Sequence, residues 1–541
     1  MTPPFRLATL VVLCLGPVGR LSAQEAHDHH GEALGRVVFP VSCRPDAQVR
    51  FERAMALLHS FWWEEGARAF RGVAAADSTC AMAYWGLALN YWGNPFVGGP
   101  QGDNLRRGAA NSIRALALGA ATPREQGLLA AVGALYRDYE TTSNPHRLEA
   151  YSDTLARVNR DFPTDPEVAI YYALSLVATA SPSDTTFTRQ RQAAAILNPL
   201  FRRFPEHPGL AHYIIHANDS PQLASLGLDA ARRYAQIAPA APHAQHMPSH
   251  IFIRLGLWDE TIAANQRSLE AGIAYARAQQ LKGVAPEQFH ALDYMVYGYL
   301  QEGRDSAARR TVAQGLALTT AIPSDALVTN YNRVAMEARV PLERGDWAEA
   351  ARLPVRAAGQ GGIGEALGHF TRGLGAARSG DTVQARAEIA ALATIEAALA
   401  GQPGYNWSRV VGNQKQAVTA WVLVAAGDTV GALREATAAA DLEDVTAKHP
   451  VTPGELLPAR ELEGDLLLAL GRYASARTAY EATLRREPGR PRSLFGLARA
   501  AELAGEVAAA QAGYRAYLAR MQQGDGGRTE LAIARGALSG R

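Results

Sequence analysis

Four of the 14 histidines stand in a grid. His212 and His216 are four apart, His246 and His250 are four apart, and the two pairs are separated by 34 residues. On an α-helix, residues i and i+4 bring their Cβ atoms within about 5–6 Å, and packed neighbouring helices run about 8–10 Å apart. Imidazoles on two such helices can therefore converge. Neutral imidazole ligates zinc, copper, nickel and iron, and a carboxylate offsets part of the ion's charge. Phased on the turn glycines Gly256 and Gly303, the next unit places Asp293 and Tyr297 where its predecessor has His246 and His250, and His290 where it has His243. The expected metal set is thus His212, His216, His246, His250 and Asp293, holding zinc or copper. His212, His216, Asp219, His243, His290 and Tyr297 are expected to line one ligand groove. No glutamate follows the first histidine of HYIIH or HMPSH, so the HExxH protease mechanism is disfavoured. Two further readings use the same residues: acid–base work on an organic ligand near neutral pH, or hydrogen bonding to one another and to Asp293 in a polar groove.

Other candidates are weaker. The early HDHHG, with His27, His29 and His30, is either a metal-delivery arm or an incidental tail. Glu461 and Asp465, at equivalent positions of a later unit, put two carboxylates on the groove side, with a solvated acidic face paired to Arg460 as the plainer reading. Trp85 and Trp92 read as inter-repeat core before they read as ligand-stacking rings.

The elements that must position these residues are helical hairpins. Gly464, Leu467, Gly471, Ala476, Tyr480 and Pro488 follow the tetratricopeptide spacing, and Ala498, Gly505, Ala510 and Tyr514 repeat part of it 34 residues later. Ala54, Leu57, Gly66 and Phe70 take the same offsets near the N-terminus. Further units are phased on Gly256, Gly303, Gly345, Gly380 and Gly427, at spacings that often exceed 34, so the repeats are degenerate. Gly- and Pro-rich loops interrupt them at Gly93–Asp103, Ser181–Thr186 and Gly359–Gly364. The last lacks the strand and the Lys-Ser/Thr of a phosphate cradle. The expected fold is all-α, a right-handed α-α superhelix, TPR-like, over residues 43–521, with a solvated polar tail at 522–541.

The chain has 541 residues, 48% hydrophobic and 20% charged, with 54 Lys+Arg against 52 Asp+Glu. This balance gives no electrostatic case for nucleic acid. Residues 1–23 combine a basic start (Arg6), an apolar run from Leu7 to Leu15 and small residues Ser22 and Ala23, which reads as a signal peptide. A flexible histidine-containing segment at 24–42 follows. The apolar run falls short of the roughly 20 residues a spanning helix needs, so no stable membrane insertion is expected after cleavage, and the mature chain is expected to be periplasmic or secreted. That address favours a Cys43–Cys80 disulfide over two buried thiols.

The segments VSCRPDAQVRFERAMALLHSFWWEEGARAF, CAMAYWGLAL, HAQHMPSHIFIRLGLWDETI and KHPVTPGELLPARELEGDLL resemble a group of exported bacterial tetratricopeptide-repeat proteins with no assigned activity. The resemblance spans nearly the whole mature chain and implies the superhelical fold. The repeat motif specifies architecture, and MPSH is the more distinctive element. Two functions compete on this frame: a scaffold holding a protein, peptide or small ligand in its concave groove, and a metal-dependent or histidine acid–base enzyme, or metal carrier. If the leader is read correctly, intact-mass analysis of the protein recovered from a secreting host should show an N-terminus at Gln24; a retained Met1 would contradict it.

Overall fold

Proline opens many of the helices, because its fixed φ suits the first helical turn and its missing N–H is an orphan there anyway. Pro45, Pro166, Pro208, Pro242, Pro286 and Pro491 each take this position. A computed structural model describes residues 34–318, 326–356, 362–402 and 404–539. The leader, the HDHHG segment and the first half of the Gly359–Gly364 loop lie outside the described residues. Among the described residues the elements are helices, with no strand, and successive helices pack as antiparallel hairpins into a TPR-like superhelix.

The small and aromatic repeat positions fit as their spacing predicts. The Tyr480 ring is wedged between Gly464 and Gly496, where an added Cβ would meet it at 2.8 and 2.3 Å. Phe70 fills the equivalent gap against Gly86. Trp85 and Trp92 are core: Trp85 packs edge-on against Phe39 and Tyr171, and Trp92 against Tyr136.

The superhelix folds back on itself. Gly256, at φ +67°, lies so close to the Pro488 carbonyl that a Cβ would sit 2.2 Å from it. The Arg520 guanidinium donates to the Gly256 carbonyl, and the Asp525 N–H donates to that of Gly303. Tyr297 donates to Glu487 and receives an N–H from Arg490. The N-terminal unit reaches the same region, with Tyr275 donating to Glu65 and packing on Trp62. Helices Trp258–Ala278 and Pro286–Gln301 are thereby gripped by both halves of the chain.

Two boundaries need correction. The segment read as flexible at 24–42 is packed from Leu34 on: Leu34, Val37 and Phe39 are buried, and the Arg36 N–H donates to the Glu206 carbonyl. The tail read as solvated is anchored, because Arg528 is buried against the Asp305 carboxylate and the Leu300 carbonyl. Its helix Thr529–Ser539 buries Leu531 and Ala534.

Cys43 and Cys80 are joined by a disulfide across 37 residues, tying the first hairpin to the helix that begins at Ala81. Replacing both by serine should lower unfolding free energy by about 3–4 kcal/mol on the chain-entropy model. Urea unfolding of the oxidised wild type and the variant checks this, and equal midpoints would contradict it.

Candidate metal centre

The histidines are placed by three successive first helices. Helix Pro208–Asn218 carries His212 and His216 on one face. In the next unit Pro248 cannot donate to the carbonyl one turn back, so the helix divides at Met247 into Pro242–His246 and Pro248–Arg254. His246 and His250 stand on either side of that break, their rings nearly perpendicular at 88°, against 47° for His212 and His216. Helix Pro286–Gln301 brings His290 and Tyr294 against this pair.

Two groups of three result. In the first, the Nε2 atoms of His216 and His243 lie 3.1 and 3.2 Å from the Nε2 of His212. The His212 Nδ1–H donates to the His59 carbonyl at 2.7 Å, which leaves the His212 Nε2 lone pair facing the other two rings. Phe61 stacks on His243 and meets His212 edge-on, closing one side.

In the second group every tautomer is fixed. His246 Nδ1 faces the Asn265 carboxamide oxygen at 2.6 Å, and the Asn265 amide N–H donates to Thr261, which sets the amide's orientation. His250 Nδ1 faces the Asp219 carboxylate at 2.9 Å, and His290 Nδ1 faces the Val451 carbonyl at 2.9 Å. All three partners only accept, so all three rings carry their proton on Nδ1. Their Nε2 atoms then carry no proton, and those of His246 and His250 face each other at 3.0 Å. All three ligand atoms of each group lie within 4.8 Å. Tyr294 sits beside the second group, its hydroxyl 3.4 Å from His250 Nε2 and bonded to the Thr452 carbonyl.

A third cluster has the opposite chemistry. His59 and His207 each present Nε2 to Glu167, at 3.0 and 2.9 Å. The Nδ1 of His207 accepts the Leu210 N–H, and that of His59 lies 3.0 Å from the Tyr213 hydroxyl. Its ring nitrogens are therefore satisfied. Burial alone would raise the Glu167 carboxyl, but His59 and His207 outweigh it and bring it down to about 2. Its role is to hold the His59 carbonyl under His212.

Burial is the main cause that depresses the imidazoles. His212, His216, His243 and His290 fall well below the usual histidine value, neighbouring rings adding to the effect, and His246 falls to about 3. Burial opposes ionisation of Asp219, yet Arg254, Lys448 and His250 hold it well below the usual carboxylate range. Lys448 is lowered to about 8 by burial. His216, His243 and His290 remain half-buried, so each group keeps one partly exposed member.

The structure corrects the expected ligand set. Asp293 is buried in a two-pronged pair with Arg339, which also donates to Thr452, Gly454 and Glu455. It takes no part in the histidine centre. Tyr297 belongs to the Glu487–Arg490 contact instead. Glu461 is buried under Arg490, Arg492 and Ser493, and Asp465 binds Arg492 and Tyr480, so neither lines a ligand groove. Asp219 supports His250 from behind. The cause is a phase shift: Gly256 and Gly303 are 47 residues apart, whereas the helix-opening Pro242 and Pro286 are 44 apart, because the third helix is longer at its C-terminal end. Counted from the prolines, the fourth residues are His212, His246 and His290, and the eighth are His216, His250 and Tyr294. The helix-start prolines are the signal that would have found Tyr294.

A tetratricopeptide-repeat family model matches residues 462–526. No curated protein matches the chain. Similar solved structures include a human IFIT1 dimer with PPP-AAAA, 11% identical over 77% of this chain and 86% of that one, TM-score 0.36. Yeast Tom70 is 11% identical over 92% of this chain and 96% of its own, TM-score 0.33. The APC/C hetero-tetramer Cut9–Hcn1 is 12% identical over 95% and 80%, TM-score 0.35. The TPR-like assignment rests on the repeat match and on the helical hairpins described above.

In metal-free protein the imidazoles stay neutral when folded, whereas the unfolded chain takes up protons near pH 6.5. The unfolded state then binds more protons, so stability falls as pH drops below about 6.5. With His246 held down to about 3, this residue alone should cost about 2 kcal/mol between pH 6.5 and 5. Urea unfolding of chelator-treated protein at the two pH values measures it, and an unchanged midpoint would contradict a neutral buried centre.

Proposed function

We propose that this TPR-like protein is an exported metal-binding protein, with a divalent transition ion of the zinc or copper class held by His246, His250 and His290. The observation that carries this reading is the tautomer pattern. The His246 and His250 Nε2 lone pairs face each other with no proton between them, and His290 offers a ring nitrogen within 4.8 Å, an arrangement that repels itself and that a cation relieves. Histidine ligands of metals characteristically donate their second N–H to a carboxylate or carbonyl, and Asn265, Asp219 and Val451 supply those acceptors. In a tetrahedral zinc site with bonds near 2.0–2.1 Å, neighbouring nitrogens stand roughly 3.3 Å apart. His246 and His250 are within a few tenths of an ångström of that spacing.

His212, His216 and His243 form a second place of the same kind, its Nε2 atoms at similar separations. Three neutral imidazoles leave a coordination position for a ligand entering from the groove, so the scaffold and metal readings join: the groove brings a protein, peptide or small ligand to the ion. Tyr294, within 3.4 Å of His250 Nε2, favours a second reading in which chemistry occurs at the metal, with this hydroxyl orienting or protonating the bound ligand.

Elemental analysis of protein purified without chelator should find one to two equivalents of zinc or copper. The His246→Ala, His250→Ala double variant should lose at least one equivalent, and Asp219→Asn should weaken retention about 10–100-fold. Arg339→Met should lose about 3–5 kcal/mol of stability, because it strands the buried Asp293. Metal-free wild type that also fails to take up zinc or copper on dialysis would overturn the reading.

A further inference from the structure

Tyr294 stands where the two preceding units carry a histidine. It lies eight residues after the helix-opening Pro286, as His216 and His250 lie eight after Pro208 and Pro242. Four residues beyond His290, it shares that residue's face of the helix. Its ring is buried against all three imidazoles of the second group, with centroids 4.9 Å from His246, 5.4 Å from His250 and 4.8 Å from His290.

The hydroxyl is poorly satisfied where it stands. It is 3.3 Å from the Thr452 carbonyl and 3.4 Å from His250 Nε2, whereas a well-formed hydroxyl bond spans about 2.5–3.0 Å. Buried polar groups normally find good partners. The separation from His250 Nε2 is close to the roughly 3.3 Å that divides neighbouring ligand atoms of a tetrahedral ion with bonds of about 2.0–2.1 Å.

Charge points the same way. Three neutral imidazoles leave a divalent ion uncompensated, and the neighbouring carboxylates are committed, Asp219 to His250 and Arg254 and Asp293 to Arg339. An acidic group that coordinates a metal gives up its proton, so a phenol here becomes an anionic ligand. The Thr452 carbonyl keeps a donor when that hydrogen leaves, because Lys448 donates to it at 2.7 Å.

We propose that Tyr294 is itself a metal ligand, a phenolate that completes the set begun by His246, His250 and His290. The inference rests on the metal reading above. On coordination the metal–oxygen bond replaces the O–H bond, and the proton passes to the buffer. A ligand entering from outside then adds as a fifth donor.

Titration of the chelator-treated full chain with copper(II) chloride to two equivalents, followed by visible absorption and resonance Raman, tests this. A phenolate bound to copper(II) gives a visible charge-transfer band and enhanced tyrosine ring modes. Both are expected in the wild type and in Tyr297→Phe. Both should vanish in Tyr294→Phe, which should hold copper(II) more weakly by at least the roughly 10–100-fold that an outer-shell loss costs. Near-UV circular dichroism confirms that the variants fold. In the wild type, ring-deuterated tyrosine should shift the Raman modes, a readout independent of any variant. Copper(II) bound without the band, a band that survives in folded Tyr294→Phe, or unshifted modes would each overturn the phenolate and leave the histidine centre standing. Refusal of copper(II) would also overturn it, and refusal of zinc as well would overturn the metal reading with it.

Discussion

The backbone carbonyls of Val451, Thr452, Gly454 and Glu455 hold the two halves of the molecule together. Val451 accepts from His290, Thr452 from Tyr294 and Lys448, and Gly454 and Glu455 from Arg339. The sequence KHPVTPGE suits that role, because Pro450 and Pro453 have no N–H and leave the segment richer in acceptors than in donors. Remove this strip, and His290 loses the partner that fixes its tautomer while Arg339 loses three of its five hydrogen bonds. The geometry of the histidine centre therefore depends on a segment some 160 residues away in the chain.

Three clusters of imidazole and carboxylate lie within a few helices of one another, and the proton on each ring distinguishes them. Around Glu167 the Nε2 atoms of His59 and His207 face a carboxylate, so the network is complete as it stands. In His246, His250 and His290 the outer nitrogens are occupied and the inner ones are not. The first cluster supports the others by holding the carbonyl on which His212 rests. Counting candidate ligands would rank all three alike; following the hydrogen bonds does not.

Much of the architecture was legible in the chain. Tyr480 against Gly464 and Gly496, Phe70 against Gly86, and the helix-opening prolines are local signals that survive insertions between units. The histidine pairs were legible because i and i+4 are neighbours on any helix. The third ligand was assigned to the wrong turn of its helix, because the glycine used as origin lies beyond a helix that had grown in length. Nothing local marks Asp293 as the partner of Arg339, 46 residues on, or Glu461 as that of Arg490, 29 residues on. A carboxylate placed on the concave side of a repeat is open only if the superhelix stays open, and here the C-terminal units occupy that space.

The contact of Gly256 with Pro488, reinforced by Arg520 and Arg528, has a consequence for how such a chain can change over generations. An open array of repeats tolerates duplication or loss of a unit, because each unit answers only to its neighbours. A chain whose late units dock back on its middle ones has a fixed circumference. Adding or deleting one hairpin between residues 303 and 488 would shift the register of that seam, so this stretch is expected to vary by substitution and loop length while keeping its number of units.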